Sequence, residues 1–227
     1  MEILTAKDLS KTYGKGPTAV EALKSANLSI EQGQFISIVG PSGSGKSTLL
    51  HLLGGLDRPT SGSVFFEDRD IYKLKEKEIS ILRRRKFGFV FQFFNLIPVL
   101  TVEENIVLPL LMDGRQADDL YIKELIGFLG LQDRRKHLPN ALSGGQQQRV
   151  AIGRALANKP SIIFADEPTG NLDTNTGREI INLFRLSVQR FQQTVVVITH
   201  DPSIAALSDS VLSVEDGRIT PEGVRIV

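Results

Sequence analysis

The chain has 227 residues, 41% of them hydrophobic, with Lys+Arg 27 against Asp+Glu 26 and a net charge of +1. That length can bury a real core in one domain, or in a domain with a subdomain, and the charge balance gives no basis for nonspecific nucleic-acid binding. There is no cysteine, which excludes disulfides and thiolate chemistry.

The N-terminus, Met1 to Asp8, carries acid and lacks an apolar segment, so no secretory signal is expected. Ile3 to Leu9, Val20 to Leu23 and Ala26 to Ile30 alternate apolar with polar residues, separated by Gly14, Gly16-Pro17 and Gly33. This predicts an antiparallel sheet. Tyr13 falls just past the first of these strands. On its own it reads as an ordinary strand-end aromatic rather than as a ring stacked on a nucleotide base.

Phe35 to Val39 is rich in β-branched residues and predicts a buried strand. The stretch that follows, Gly40-Pro41-Ser42-Gly43-Ser44-Gly45-Lys46-Ser47-Thr48, fits G-x-x-x-x-G-K-[ST]. Leu49 to Leu53 continues a helix that Gly54-Gly55 can end. Gly43 and Gly45 let the backbone curl so that successive N–H groups face one concavity, and the helix N-terminus adds partial positive charge there. In this arrangement Lys46 reaches the outer phosphates of a nucleotide and Ser47 offers its hydroxyl to Mg²⁺.

A turn at Asp57 to Gly62 leads to a strand at Val64 to Phe66. Leu74 to Arg85 predicts a charged helix ending in Arg83-Arg84-Arg85-Lys86, read as a solvated helix end that complements the dipole rather than as an anion grip. Phe87 to Phe91 is a strand ending at Gln92. The most apolar run, Phe87 to Leu100, is too short to span a bilayer and is broken by Gln92, Asn95 and Pro98. The chain is therefore expected to be soluble, with any membrane part supplied by another protein. Thr101 to Glu104 carries a capping-box pattern, and a second helix is expected around 117–129. No strand signal appears here, so a helical subdomain at about 93–157 is expected as an insertion in a single domain, 1–227.

Ser143 and Gln146 form S-x-x-Q at the start of a helix running to about Asn158. Gly144 and Gly145 in its first turn sacrifice about 1 kcal/mol each relative to alanine. Omitting two side chains makes sense where another group approaches the backbone, and a helix tip with a serine hydroxyl suits an anion. Ser161 to Ala165 reads as a parallel strand delivering Asp166 and Glu167 at its carboxyl end. Pro168 predicts extended backbone at Glu167. Asp166 suits a Mg²⁺-associated role, and Glu167 can orient and deprotonate a water.

Asn171-Leu172-Asp173 precedes a helix at about 176–190. Thr194 to Ile198 is the next strand, with His200 just past its end; a lone histidine there is more often structural than functional. Val211 to Ile219 closes with a hairpin turning at Asp216-Gly217. The fold class these elements predict is α/β: a phosphate-loop core with a mostly parallel sheet, an N-terminal antiparallel β subdomain and an inserted helical subdomain.

The ordered set GPSGSGKST, Gln92, LSGGQ, IIFADE, Asn171-Leu172-Asp173 and His200 resembles the ATP-binding subunit of ABC transporters over essentially the whole chain. The resemblance implies ATP and Mg²⁺ as cofactors. It makes Tyr13 the adenine-stacking aromatic, against the reading of that residue alone. It makes Gln92 a sensor of Mg²⁺ and the γ-phosphate, Asp166 a Mg²⁺ holder through water, Glu167 the general base and His200 a γ-phosphate contact. It also implies a homodimer in which Ser143, Gly144, Gly145 and Gln146 of one copy complete the ATP site of the other, with hydrolysis driving a membrane partner.

Residues 91–98, 100–105 and 165–173 are similar to the macrolide-exporter, lipoprotein-release and antimicrobial-peptide-export branch. That branch implies a separate permease of the FtsX/MacB kind and a place on the cytoplasmic face of the plasma membrane. Phe93-Phe94 departs from the Ser/Tyr-type residues of that branch; Phe94, Leu96 and Ile97 are expected to help form the groove that docks the permease. A cell-division-type ATPase that signals through its membrane partner and transports nothing is the main alternative, and the soluble iron–sulfur-assembly relative is a third.

Overall fold

The structure, a computed structural model, describes residues 1–220 and the backbone of Arg225–Ile226. In chain order the strands are β1 Glu2–Tyr13, β2 Val20–Glu31, β3 Phe35–Val39, β4 Ser61–Phe66, β5 Arg69–Asp70, β6 Phe87–Phe91, β7 Ile162–Asp166, β8 Thr194–Ile198, β9 Ser210–Glu215, β10 Arg218–Ile219 and β11 Arg225–Ile226. The helices are α1 Lys46–Leu53, α2 Glu76–Lys86, α3 Val102–Met112, α4 Asp119–Phe128, α5 Gly144–Leu156, α6 Thr174–Phe191 and α7 Pro202–Ala205. The chain divides into two compact units, one of residues 1–83 with 194–227, the other 84–193.

The first unit holds an antiparallel sheet in the order β2-β1-β4-β5. Its first two strands are longer than the alternation predicts, because backbone irregularities near Leu9 and Lys11 carry the pairing past Ser10 and Ser25. Tyr13 is consequently the last residue of β1, paired with Val20, rather than lying beyond the strand. In the same unit β3 pairs in parallel with β8 on one side and β9 on the other. Ile36, Ile38, Val196 and Val197 are fully enclosed, as strands covered on both faces require. The closing hairpin forms as expected: Asp216 and Gly217 have φ of 45° and 78°, the two positive values of a type I′ turn.

The second unit pairs β6 with β7 in parallel, and Phe164 of β7 meets the rings of Phe87 and Phe89 at 5.4 and 5.7 Å. Its α5 and α6 bury Val150, Ile152, Ile180, Ile181 and Phe184. Both capping boxes read from the sequence are made, Thr101 with Glu104 and Ser143 with Gln146. Helix α5 stops at Leu156, two residues short of the expected end, and α6 begins at Thr174 because Asp173 caps it.

The basic run is a solvated helix end only in part: Arg85 and Lys86 are exposed, but the three arginines have defined partners. Arg83 donates to the carbonyl of Gly55 within the first unit. In the second unit Arg84 and Arg85 both bind Asp113, at 2.6 and 2.7 Å. The Arg85 hydrogen bond leads in holding the Asp113 carboxyl below the usual carboxylate range, with Arg84 adding to it. Periodicity alone could not show this acid, which sits on the C-cap of α3.

Candidate functional site

In the first unit, β3 runs into the glycine loop and the loop into α1. Gly40, Gly43 and Gly45 all have positive φ, 148°, 76° and 104°. A Cβ on Gly40 would lie 2.1 Å from the carbonyl oxygen of Val214, and one on Gly45 would lie 2.3 Å from that of Ala22. The loop is thus pressed against its neighbours from behind and curled toward its open side. Ser42 and Gly43 are exposed there, and Ser47 and Thr48 follow Lys46 in the first turn of α1.

Lys46 is largely buried, and its Nζ donates to the carbonyls of Gly40 and Pro41 at 2.9 and 2.6 Å. The ammonium therefore rests on the loop itself, within a side chain's swing of any anion the loop holds. Ser44 Oγ is buried and makes no hydrogen bond, an orphaned donor inside the cradle. Together these features suit a bound polyphosphate.

Tyr13 is moored by its hydroxyl, which donates to Asp57 Oδ2 at 2.8 Å, and Lys11 Nζ lies 4.8 Å from the centre of its ring. Burial, then the Asp57 hydrogen bond, pushes the phenol pKa up. Although burial acts the other way on Asp57, hydrogen bonds from Lys11 and Tyr13 hold its carboxyl below the ordinary value. The residue is 42% exposed and its ring is held in place, the form a stacking platform takes. His200 is exposed just past β8, and Thr199 N donates to Ile38 O at 3.1 Å. It therefore leaves the parallel pair β3–β8 at the same end as the glycine loop.

In the second unit Gln92 and Asn171 exchange hydrogen bonds: Gln92 Nε2 donates to Asn171 Oδ1 at 3.3 Å, and Asn171 Nδ2 to Gln92 O at 3.1 Å. Asp166 closes β7 opposite Phe91, the residue before Gln92. Glu167, next along, has φ of 45°. This overturns the extended backbone expected from Pro168. The chain must reverse within a few residues, with Gly170 N donating to Glu167 O at 3.1 Å and Leu172 N to Thr169 O at 3.0 Å. The reversal outweighs the proline's local preference. A non-glycine residue in this region carries strain of about 1–3 kcal/mol.

The tip of α5 is partly as expected. Ser143 Oγ accepts from Gln146 N at 3.3 Å, and Gln146 Oε1 accepts from Ser143 N at 3.0 Å. The two glycines differ, however. A Cβ on Gly145 would lie 2.4 Å from the methyl of Thr176, so packing inside the protein already demands that glycine. On Gly144 it would meet only Leu172 and Phe94 at ordinary distances, 3.4 and 3.6 Å. Gly144 alone keeps the reading of a side chain omitted for an approaching group.

Sequence reasoning missed Gln148. It is fully buried on α5, and its Nε2 donates to Pro168 O at 2.6 Å and Phe91 O at 3.3 Å. Its place in helical register, with buried Ala151 and Ile152 three and four residues on, was the only signal available.

A parallel α/β arrangement with a glycine loop wedged between a buried strand and a helix N-terminus defines a phosphate-loop nucleotide-binding protein. The pattern of the ABC transporter family matches residues 23–170, and the chain belongs to that family as an ATP-binding ATPase component. Within it the chain falls in the branch of LolD and MacB ATP-binding subunits. It is 47% identical to the lipoprotein-releasing system ATP-binding protein LolD of Cytophaga hutchinsonii, covering 96% of this chain and 99% of that one. It is 43% identical to the macrolide export ATP-binding/permease protein MacB of Syntrophobacter fumaroxidans, over 98% of this chain but 32% of that longer protein. Among solved structures, the ATP-binding cassette MJ0796 of Methanocaldococcus jannaschii, dimeric in a post-hydrolysis state with ADP and Pi, superposes with a TM-score of 0.86. The two are 45% identical, with 96% of each chain covered.

Proposed function

We propose that this chain is the motor of a transporter whose membrane part is a separate permease of the FtsX/MacB kind. Two copies close on ATP and reopen after hydrolysis. The reading takes the whole chain, 1–227, as one ATP-binding domain with a helical subdomain inserted at about 93–157. The observation that carries it is the pairing, in one chain, of a phosphate cradle with a second anion-suited helix tip at Ser143. The two copies in the MJ0796 dimer and the bound ADP and Pi support it. No helix among the described residues is long and apolar enough to cross a membrane.

In this reading Tyr13 stacks the adenine. Gly40, Ser42, Gly43, Ser44, Gly45, Lys46, Ser47 and Thr48 hold the phosphates. Ser143, Gly144, Gly145 and Gln146 close over the nucleotide held by the other copy. Glu167 accepts a proton from the attacking water, while His200 and Gln92 attend the γ-phosphate.

Mg²⁺ takes hard oxygen donors, few of them from protein, with nucleotide phosphates and water completing its shell. The Ser47 hydroxyl, the Gln92 carbonyl and the Asp166 carboxylate are donors of that kind. Asn171 already engages Gln92 Nε2, which leaves the oxygen end of the carboxamide for a cation. When bound, the ion would neutralise phosphate charge that develops during hydrolysis.

The docking surface for the permease is the irregular segment after Gln92. Asn105, fully buried, donates from its side chain to the carbonyls of Ile97, Leu100 and Thr101, and Arg154 donates to those of Phe94 and Asn95. An apolar loop is thereby held rigid. Phe94, Leu96 and Ile97 contribute to it, but Phe93 (69% exposed) and Val99 (77%) present more surface than Phe94. LolD and MacB are named for lipoprotein release and macrolide export, which supports a lipophilic cargo that is extracted or expelled.

The test is Glu167→Gln. It should slow hydrolysis by about 10²–10⁴-fold and accumulate an ATP-bound dimer on size-exclusion chromatography. Hydrolysis at the parental rate by that variant removes Glu167 from the mechanism. Co-purification with the permease then separates transport from a cell-division-type signalling role.

A further inference from the structure

We propose that Gln148 is a positioning residue for ATP hydrolysis: it tethers the turn that carries Glu167 and the strand end that carries Gln92 to one point on α5. The proposal rests on the reading of Glu167 as the base. Its two acceptors are the carbonyls immediately after Glu167 and immediately before Gln92, Pro168 O at 2.6 Å and Phe91 O at 3.3 Å. Because both contacts are carbonyl oxygens, the amide must present its NH₂ to them, which fixes the orientation of the group.

Two further observations support this. First, Gln148 Oε1 is buried and accepts no hydrogen bond. An unpaired buried acceptor is unfavourable, and methionine would fill similar volume without it. What glutamine offers at this position is therefore its pair of N–H donors. Second, Glu167 is held at φ of 45°, a conformation that persists only where the surroundings over-determine it. Residue 168 is proline and has no N–H to anchor the turn. Its carbonyl offers a handle from outside the turn, and Gln148 holds it. The Gln92–Asn171 exchange ties the same two segments a second time. Hydrolysis is sensitive to ångström-scale misplacement of a base, and this is the geometry Gln148 controls.

The full-length chain with Gln148→Met and Gln148→Glu tests the idea, using steady-state ATPase rates, fluorescent ATP-analogue affinity and thermal melts. Gln148→Met should bind nucleotide within about twofold of the parent while kcat falls by about 10- to 100-fold. In Gln148→Glu the ionised carboxylate would face two carbonyls, whereas the protonated acid regains one O–H donor. Burial raises such a carboxyl's pKa, so the ratio of this variant's kcat to the parent's should climb as pH falls from about 8 to about 6.

In a Glu167→Gln background, Gln148→Met should cost less than about a further twofold in kcat. A parental kcat in Gln148→Met, or affinity falling in step with kcat, overturns the proposal. So does a Gln148→Glu ratio that is flat with pH, which also decides the matter if Gln148→Met does not fold. The base assignment fails separately: Glu167→Gln at the parental rate would leave a kcat loss in Gln148→Met standing.

Discussion

The glycine loop before α1 and the glycine pair opening α5 look alike as sequence, yet they are built for different reasons. In the loop, Gly40 and Gly45 have positive φ, and backbone oxygens of Val214 and Ala22 occupy the space of a Cβ. Backbone does not step aside. At the tip of α5 neither glycine has positive φ; a side-chain methyl, that of Thr176, blocks Gly145, and nothing closer than ordinary contact blocks Gly144. The same residue type is therefore obligatory where backbone meets backbone, conditional where it meets a side chain, and free to serve a ligand where it meets neither.

Substitution can break this comparison. Gly45→Ala should have the largest effect: strain at φ of 104° adds to a 2.3 Å clash with backbone. We expect a loss of about 3 kcal/mol or more together with loss of ATP binding, measured by chemical denaturation and nucleotide titration. Gly43→Ala, with the same sign of φ but no atom within 4 Å of its Cβ, should cost only about 1–2 kcal/mol. Equal costs at the two positions would refute the division between clash and conformation.

Gly145→Ala should cost about 1–3 kcal/mol through overpacking. Gly145→Ala with Thr176→Ser should recover most of that, since serine removes the methyl but keeps the hydroxyl that donates to Asp173. Gly144→Ala sharpens the contrast. It should leave stability unchanged or raise it by up to about 1 kcal/mol, while ATPase turnover falls. Unchanged turnover would strip Gly144 of its functional reading.

The smallest effect is a pH dependence. Hydrogen bonds from the Thr176 side chain and backbone hold the Asp173 carboxyl below its ordinary pKa. A depressed folded-state pKa contributes stability that is present above the unfolded value of about 4 and lost as pH falls through the folded one. Thermal melts of Asp173→Asn and the parent should therefore differ at pH 7 and converge on acidification below about pH 4.

Legibility varied within both units. β3, β6 and β8 were readable to the residue, because buried parallel strands appear as unbroken apolar runs with polar punctuation. The phosphate loop and both capping boxes were legible because their chemistry is confined to a few consecutive residues. Glu167 was misread for the reverse reason. Pro168 states a local preference, and a chain reversal between β7 and α6 overrides it. Arg84 and Arg85 were misread because Asp113, which they clasp, is 28 or more residues distant in sequence.

Sequence alone determined the family, the glycine loop and the helix caps, since loop chemistry, helix capping and strand burial are short-range requirements written in adjacent positions. Tertiary structure decided how those residues are held. It set the backbone at Glu167, joined Gln92 to Asn171, assigned Gly145 to packing against Thr176, and drew the Gln148 amide onto two carbonyls 57 and 20 residues away. Each of these is a contact between segments remote along the chain, and only the folded backbone determines which remote atoms become neighbours.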